Sequence, residues 1–75
     1  MKIQAISNFP VGTRVRLAEL KGNNILRRRL MALGLVQGNS LEIMHQRGKS
    51  VVVQSKGSRV ALGADITEKL WVERI

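Results

Sequence analysis

The segment Ser40–Leu62, SLEIMHQRGKSVVVQSKGSRVAL, decides the fold. Leu41 and Ile43 alternate with Glu42 and Met44, the period-two pattern of a half-buried strand, and His45 continues the apolar phase. Arg47-Gly48-Lys49 can turn that strand back into Ser50–Lys56, whose three consecutive valines favour extended backbone. Lys56-Gly57-Ser58 turns the chain again into Arg59-Val60-Ala61-Leu62. Three strands joined by tight turns form a meander.

Upstream, Thr13–Leu20 alternates as well, with Val15 and Leu17 on one side and Arg14 and Arg16 on the other. Val11-Gly12 reads as the turn before it and Lys21-Gly22-Asn23-Asn24 as the turn after it. A helix then starts, capped by Asn23 or Asn24, and places Leu26, Leu30 and Leu33 at i, i+4 and i+7 in a stripe expected to face the core. Gly34 is placed to end this helix in the left-handed conformation, with Leu35 folding back over the last turn, and Gly38 makes the next turn. Downstream, Asp65-Ile66-Thr67-Glu68 reads as a helical turn with Asp65 as its cap, and Leu70–Glu73 as a closing strand. The pattern predicts a mainly β chain: a small, partly closed barrel of about five strands, one helix after the first strand and a short helical turn before the last. Residues 1–75 read as a single domain in which residues 1–10 form a leading extension, packed on the barrel through Ile3, Ile6 and Phe9.

The chain has 75 residues, and a domain of this size buries only about 60% of its unfolded surface, which leaves little room for an enclosed active site. It has no cysteine, hence neither disulfide nor thiolate metal site nor cysteine nucleophile. No stretch approaches the roughly 20 apolar residues of a membrane span, and Met1-Lys2-Ile3-Gln4 does not open a secretory signal, so a cytoplasmic location is expected. The net charge of +8 raises encounter rates with any acidic surface or phosphate without choosing among them.

Arg27, Arg28 and Arg29 are the only consecutive cations. They lie in the early turns of the helix, where its dipole mildly disfavours positive charge, so local stability does not account for them. They read either as a solvated face or as a docking surface for a carboxylate- or phosphate-bearing partner, with Arg28 the most exposed. Trp71 is out of phase with Leu70 and Val72, which leaves it as an outer-face anchor for a partner or as a satellite cluster with Ile75 and Phe9 or Ile3.

Enzymatic chemistry finds no support. Gly48-Lys49-Ser50 lacks the earlier glycine of a phosphate-binding loop, since position 43 is Ile43, and it leads into a strand rather than a helix. His45 and Glu42 point to opposite faces, the five acidic residues are dispersed, and nothing calls for a metal or a cofactor. The chain reads as a non-enzyme.

Arg29-Leu30, Leu33-Gly34-Leu35, Gly38, Val60-Ala61-Leu62, Leu70 and Val72 together resemble the FeoA family over Val11 to Val72. The most specific element is Leu33-Gly34-Leu35-Val36-Gln37-Gly38, whereas the Gln46–Ser50 loop and Gly63 depart from the common pattern of relatives. The resemblance implies an SH3-like barrel serving bacterial ferrous-iron uptake. Its implied partner is a FeoB-type membrane transporter with a cytosolic GTPase region, whose transport or GTP cycle it modulates, and a further small accessory protein could join. Docking through Arg27, Arg28 and Arg29, aided by Trp71, would recruit the protein to the inner face of the membrane through that partner alone. The competing reading is a basic small-barrel nucleic-acid-binding module, against which Phe9 and Trp71 are too few aromatics for a stacking platform.

Overall fold

The computed structural model describes residues 2–75. Six strands, β1 (Ile3–Ala5), β2 (Arg14–Leu20), β3 (Ser40–Arg47), β4 (Ser50–Ser55), β5 (Ser58–Leu62) and β6 (Leu70–Arg74), form one antiparallel sheet in the order β1-β6-β2-β3-β4-β5. Helix α1 (Asn24–Ala32) follows β2, and the single turn α2 (Ala64–Thr67) precedes β6. The leading extension supplies the sixth strand, β1, which pairs with β6, and a 3-10 turn at Ile6–Asn8. That turn packs against β4 and β6, and the Gln46 side-chain amide donates to the Ser7 carbonyl at 2.6 Å. The curled sheet is thereby closed over its core.

The inner face is set by register. Val15 lies opposite Leu41, Leu17 opposite Val72, Ile43 opposite Val53 and Val51 opposite Leu62, and all eight are buried. Ile6 and Phe9 join them, while Ile3 stays half exposed.

Two bulges shift the phase that strict alternation predicts. One between Leu17 and Glu19 restores Leu20 to the inner side. Another between Ile43 and His45 sets His45 opposite Val52 and leaves it exposed, so His45 does not share the inner face of Leu41 and Ile43. An extra residue on one strand rotates every later side chain to the other face.

Helix α1 is capped by Asn23, whose side chain accepts from the Leu26 N–H at 2.9 Å. It ends in a Schellman motif: Gly34 adopts φ +84°, its N–H donates to the Met31 carbonyl, and the Leu35 N–H donates to the Leu30 carbonyl at 2.9 Å. The expected leucine stripe is only partly realised. Leu30 is fully buried and Leu26 packs beside it, but Leu33 is 46% exposed. The reversal at Gly34 carries Leu35 back into the core, and Leu35 takes the place that Leu33 would occupy in a longer helix.

Two further local expectations meet different solutions. Gly63, rather than Asp65, is the N-cap of α2, and no side chain caps that turn. The turn is held instead by Thr67, fully buried, whose hydroxyl lies 2.7 Å from the Lys49 carbonyl and 3.2 Å from that of Ala64.

Leu30→Ala should cost about 2–5 kcal/mol of unfolding free energy, whereas Leu33→Ala should cost under about 1 kcal/mol; urea titration followed by circular dichroism measures both. Gly34→Ala should cost about 1–2 kcal/mol in the same titration, because an alanine Cβ is strained at that φ even though no neighbouring atom crowds it.

Candidate functional site

Helix α1 touches the core through one fully buried side chain, Leu30, so most of its surface faces outward. That outward surface carries Arg27, Arg28 and Arg29, all exposed. The helix sequence Asn24–Ala32 contains no acid, and the one ion pair among the described residues lies elsewhere, between Arg16 and Glu73 at 3.8 Å. None of the three guanidiniums is neutralised by a carboxylate.

The three arginines are not equivalent. Arg27 donates from Nη2 to the Leu20 carbonyl at 2.9 Å, which ties the helix to the end of β2 and fixes that side chain. Arg28 lies on the side of the helix turned away from Leu30. Arg29 follows on the flank that also bears Leu33. All three are exposed, and Arg27 alone is anchored.

Trp71 lies on the outer face expected from its phase against the buried Leu70 and Val72. It is half-buried on the outer face of β6, beside Ala5 of β1 and Glu19 of β2, and the Lys21 ammonium lies 4.2 Å from its ring centroid. Its indole N–H is shielded from solvent and has no hydrogen-bond partner among the described residues. Phe9 is buried in the core and Ile75 is exposed. Lys21 stacks over the Trp71 ring and Phe9 is buried, so the two aromatics do not form a stacking platform.

Exposed apolar side chains complete the surface. Ile25 is 76% exposed, Met31 61% and Leu33 46%, all at the ends or flanks of α1. A groove of about 210 Å³ runs between α1 and the segment after Gly34. Its outline could not be read from periodicity, because it needs the Schellman reversal to bring Leu35, Val36 and Gln37 beside Arg27 and Met31.

No group of three or more His, Cys, Asp or Glu among the described residues is arranged to hold a metal ion. No helix of the described residues is long and apolar enough to cross a membrane.

A model of the FeoA domain matches residues 5–74. Among solved structures, an iron uptake regulatory protein (FeoA) superposes with a TM-score of 0.88 at 19% identity, covering 100% of both chains. The FeoA protein from Chlorobium tepidum gives a TM-score of 0.85 at 24% identity, covering 96% of this chain and 70% of that one. IdeR from T. acidophilum gives 0.88 at 17% identity, and this chain spans only 35% of its length. These identities speak for the fold alone. No curated protein has a significantly matching sequence.

Replacing Arg27 with Ala should cost about 1 kcal/mol of stability through the lost bond to the Leu20 carbonyl. Arg28→Ala should change stability by less than about 0.5 kcal/mol, since that side chain makes no such contact. Parallel urea titrations of the two variants test the difference.

Proposed function

The chain belongs to the FeoA family, small non-catalytic accessory domains associated with ferrous-iron uptake, and on that premise we propose that it is a cytoplasmic regulatory protein that docks on the cytosolic, GTPase-containing region of a FeoB-type transporter. The observation that carries the reading is the unneutralised arginine cluster on α1. Arginines held on a rigid helix without local carboxylates cost the free protein stability and suit recognition of carboxylates on a partner. Arg28 and Arg29 supply the steering charge, and Arg27, already anchored, supplies a fixed donor. Trp71 would join the contact only once Lys21 is displaced from its ring.

Such docking acts on the transporter by binding one of its conformations better than another, which biases iron passage or the GTP cycle. The ferrous ion is cargo of the transporter in this reading. Membrane localisation would follow from the partner, and a further small accessory protein could share the complex. The covered Trp71 and the buried Phe9 weigh against the nucleic-acid-binding alternative.

Calorimetric titration with the transporter's soluble cytosolic region checks the proposal: Arg28→Glu should weaken binding by about tenfold or more while the protein stays folded. Unchanged affinity would remove α1 from the interface. Tight binding to a generic oligonucleotide that fades steeply with salt would transfer the reading to nucleic acid.

A further inference from the structure

The apolar side chains that α1 withholds from the core have a definite arrangement. Arg27 and Arg28 precede Met31 by four and three residues, so both flank it on the helix surface, and Ile25 precedes Arg28 by three. Met31 forms one lip of the groove of about 210 Å³, whose other lining residues are Leu20, Arg27, Leu35, Val36 and Gln37. Arg27 is the only charged residue of that lining, and its bond to the Leu20 carbonyl holds it across the groove wall with further N–H donors free.

Single exposed apolar residues need no explanation, but a largely apolar groove lined by the unneutralised Arg27, with Arg28 at the next position of the helix, is a composite surface. A bare phosphate backbone would satisfy the arginines and leave the groove wet. A second copy pairing symmetrically through this face would set arginines against arginines, with no acid on α1 to balance them. Charge complementarity selects an occupant that is acidic and apolar at once. A helix with one large apolar side chain and a pair of carboxylates three and four residues to one side of it matches the spacing of Met31, Arg27 and Arg28.

We propose that the groove between α1 and Leu35–Gln37 receives an apolar side chain from an acidic amphipathic helix of the partner, with a pair of carboxylates one turn to one side of it engaging Arg27 and Arg28. This rests on the docking reading of α1 and adds the chemistry of the segment that is bound. The apolar contact sets how long the complex lasts, and the arginines set how fast and in which orientation it forms.

The transporter's soluble cytosolic region, titrated at low and high salt, is the probe. Met31→Gln should weaken binding by about tenfold at both salt concentrations, Met31→Leu should restore it, and Gln37→Trp, which fills the groove, should weaken it as well. Arg28→Glu should weaken binding mainly at low salt and flatten the salt dependence. Met31 and Gln37 are exposed, and circular dichroism verifies that their variants fold. Should Arg28→Glu weaken binding while Met31→Gln and Gln37→Trp bind as the parent does, the groove proposal falls and docking through the arginines stands. Should none of the variants change affinity, both fall. A wild-type dimer in sedimentation that Met31→Gln converts to monomer would assign the groove to a second copy and overturn the proposal.

Discussion

The hydrogen bond from the Leu35 N–H to the Leu30 carbonyl, possible only because Gly34 turns left-handed, is the constraint on which the molecule depends. It ends α1 after nine residues, too short a helix to persist alone, and reverses the chain so that Leu35 buries against the sheet. The next residues are then close enough to be stitched to β2: the Gly38 N–H donates to the Leu17 carbonyl, and the Leu17 N–H donates to that of Asn39. These bonds deliver the chain to Ser40 opposite Arg16, which starts β3 in register. The Val15–Leu41 and Ile43–Val53 pairs follow from that start, and with them the inner face. One reversal thus sets both the direction of the helix and the phase of the meander.

The same local economy explains what could be read from the sequence. Alternation locates the strands from Thr13 to Leu20 and from Ser40 to Gln46 because one face of each is buried and the other wet, while the valine run and the glycine turns locate the two that follow. The Asn23 cap and the Gly34 stop were legible because each is satisfied within a few residues. The bulges at Ala18 and Met44 were not, since each depends on the partner strand, and so the burial of Leu20 and the exposure of His45 escaped. Strand β1 spans three residues, too few to show a period; of Ile3, Ile6 and Phe9, from which packing of the leading segment is expected, Ile6 and Phe9 are buried and Ile3 is not. Helical spacing points Leu33 inward, and only the tertiary structure shows that Leu35 fills that place in the core.

The candidate site divides along the same line. Three consecutive arginines are visible in any reading of the chain, and their outward direction follows from Leu30 facing inward. The groove is not visible, because Leu20, Arg27, Met31 and Val36 meet only after the strand, the helix and the reversal have formed. Lys21 over Trp71 is likewise a tertiary fact, set by the turn that carries the chain from β2 into α1.

Helix α1 is well suited to carry features that would be costly elsewhere. Its attachment to the fold comes from Leu30, partial burial of Leu26, the two caps and the Arg27 bond, none of which uses Arg28, Ile25 or Met31. Those side chains can follow the needs of recognition without disturbing the packed sheet, in which Val15, Leu17, Ile43, Val53 and Val72 are almost completely buried. The same fold occurs in FeoA proteins and in IdeR, of which this chain spans 35%. On the docking proposal, the surface of the inserted helix is where this chain would specify its partner without changing the barrel beneath it.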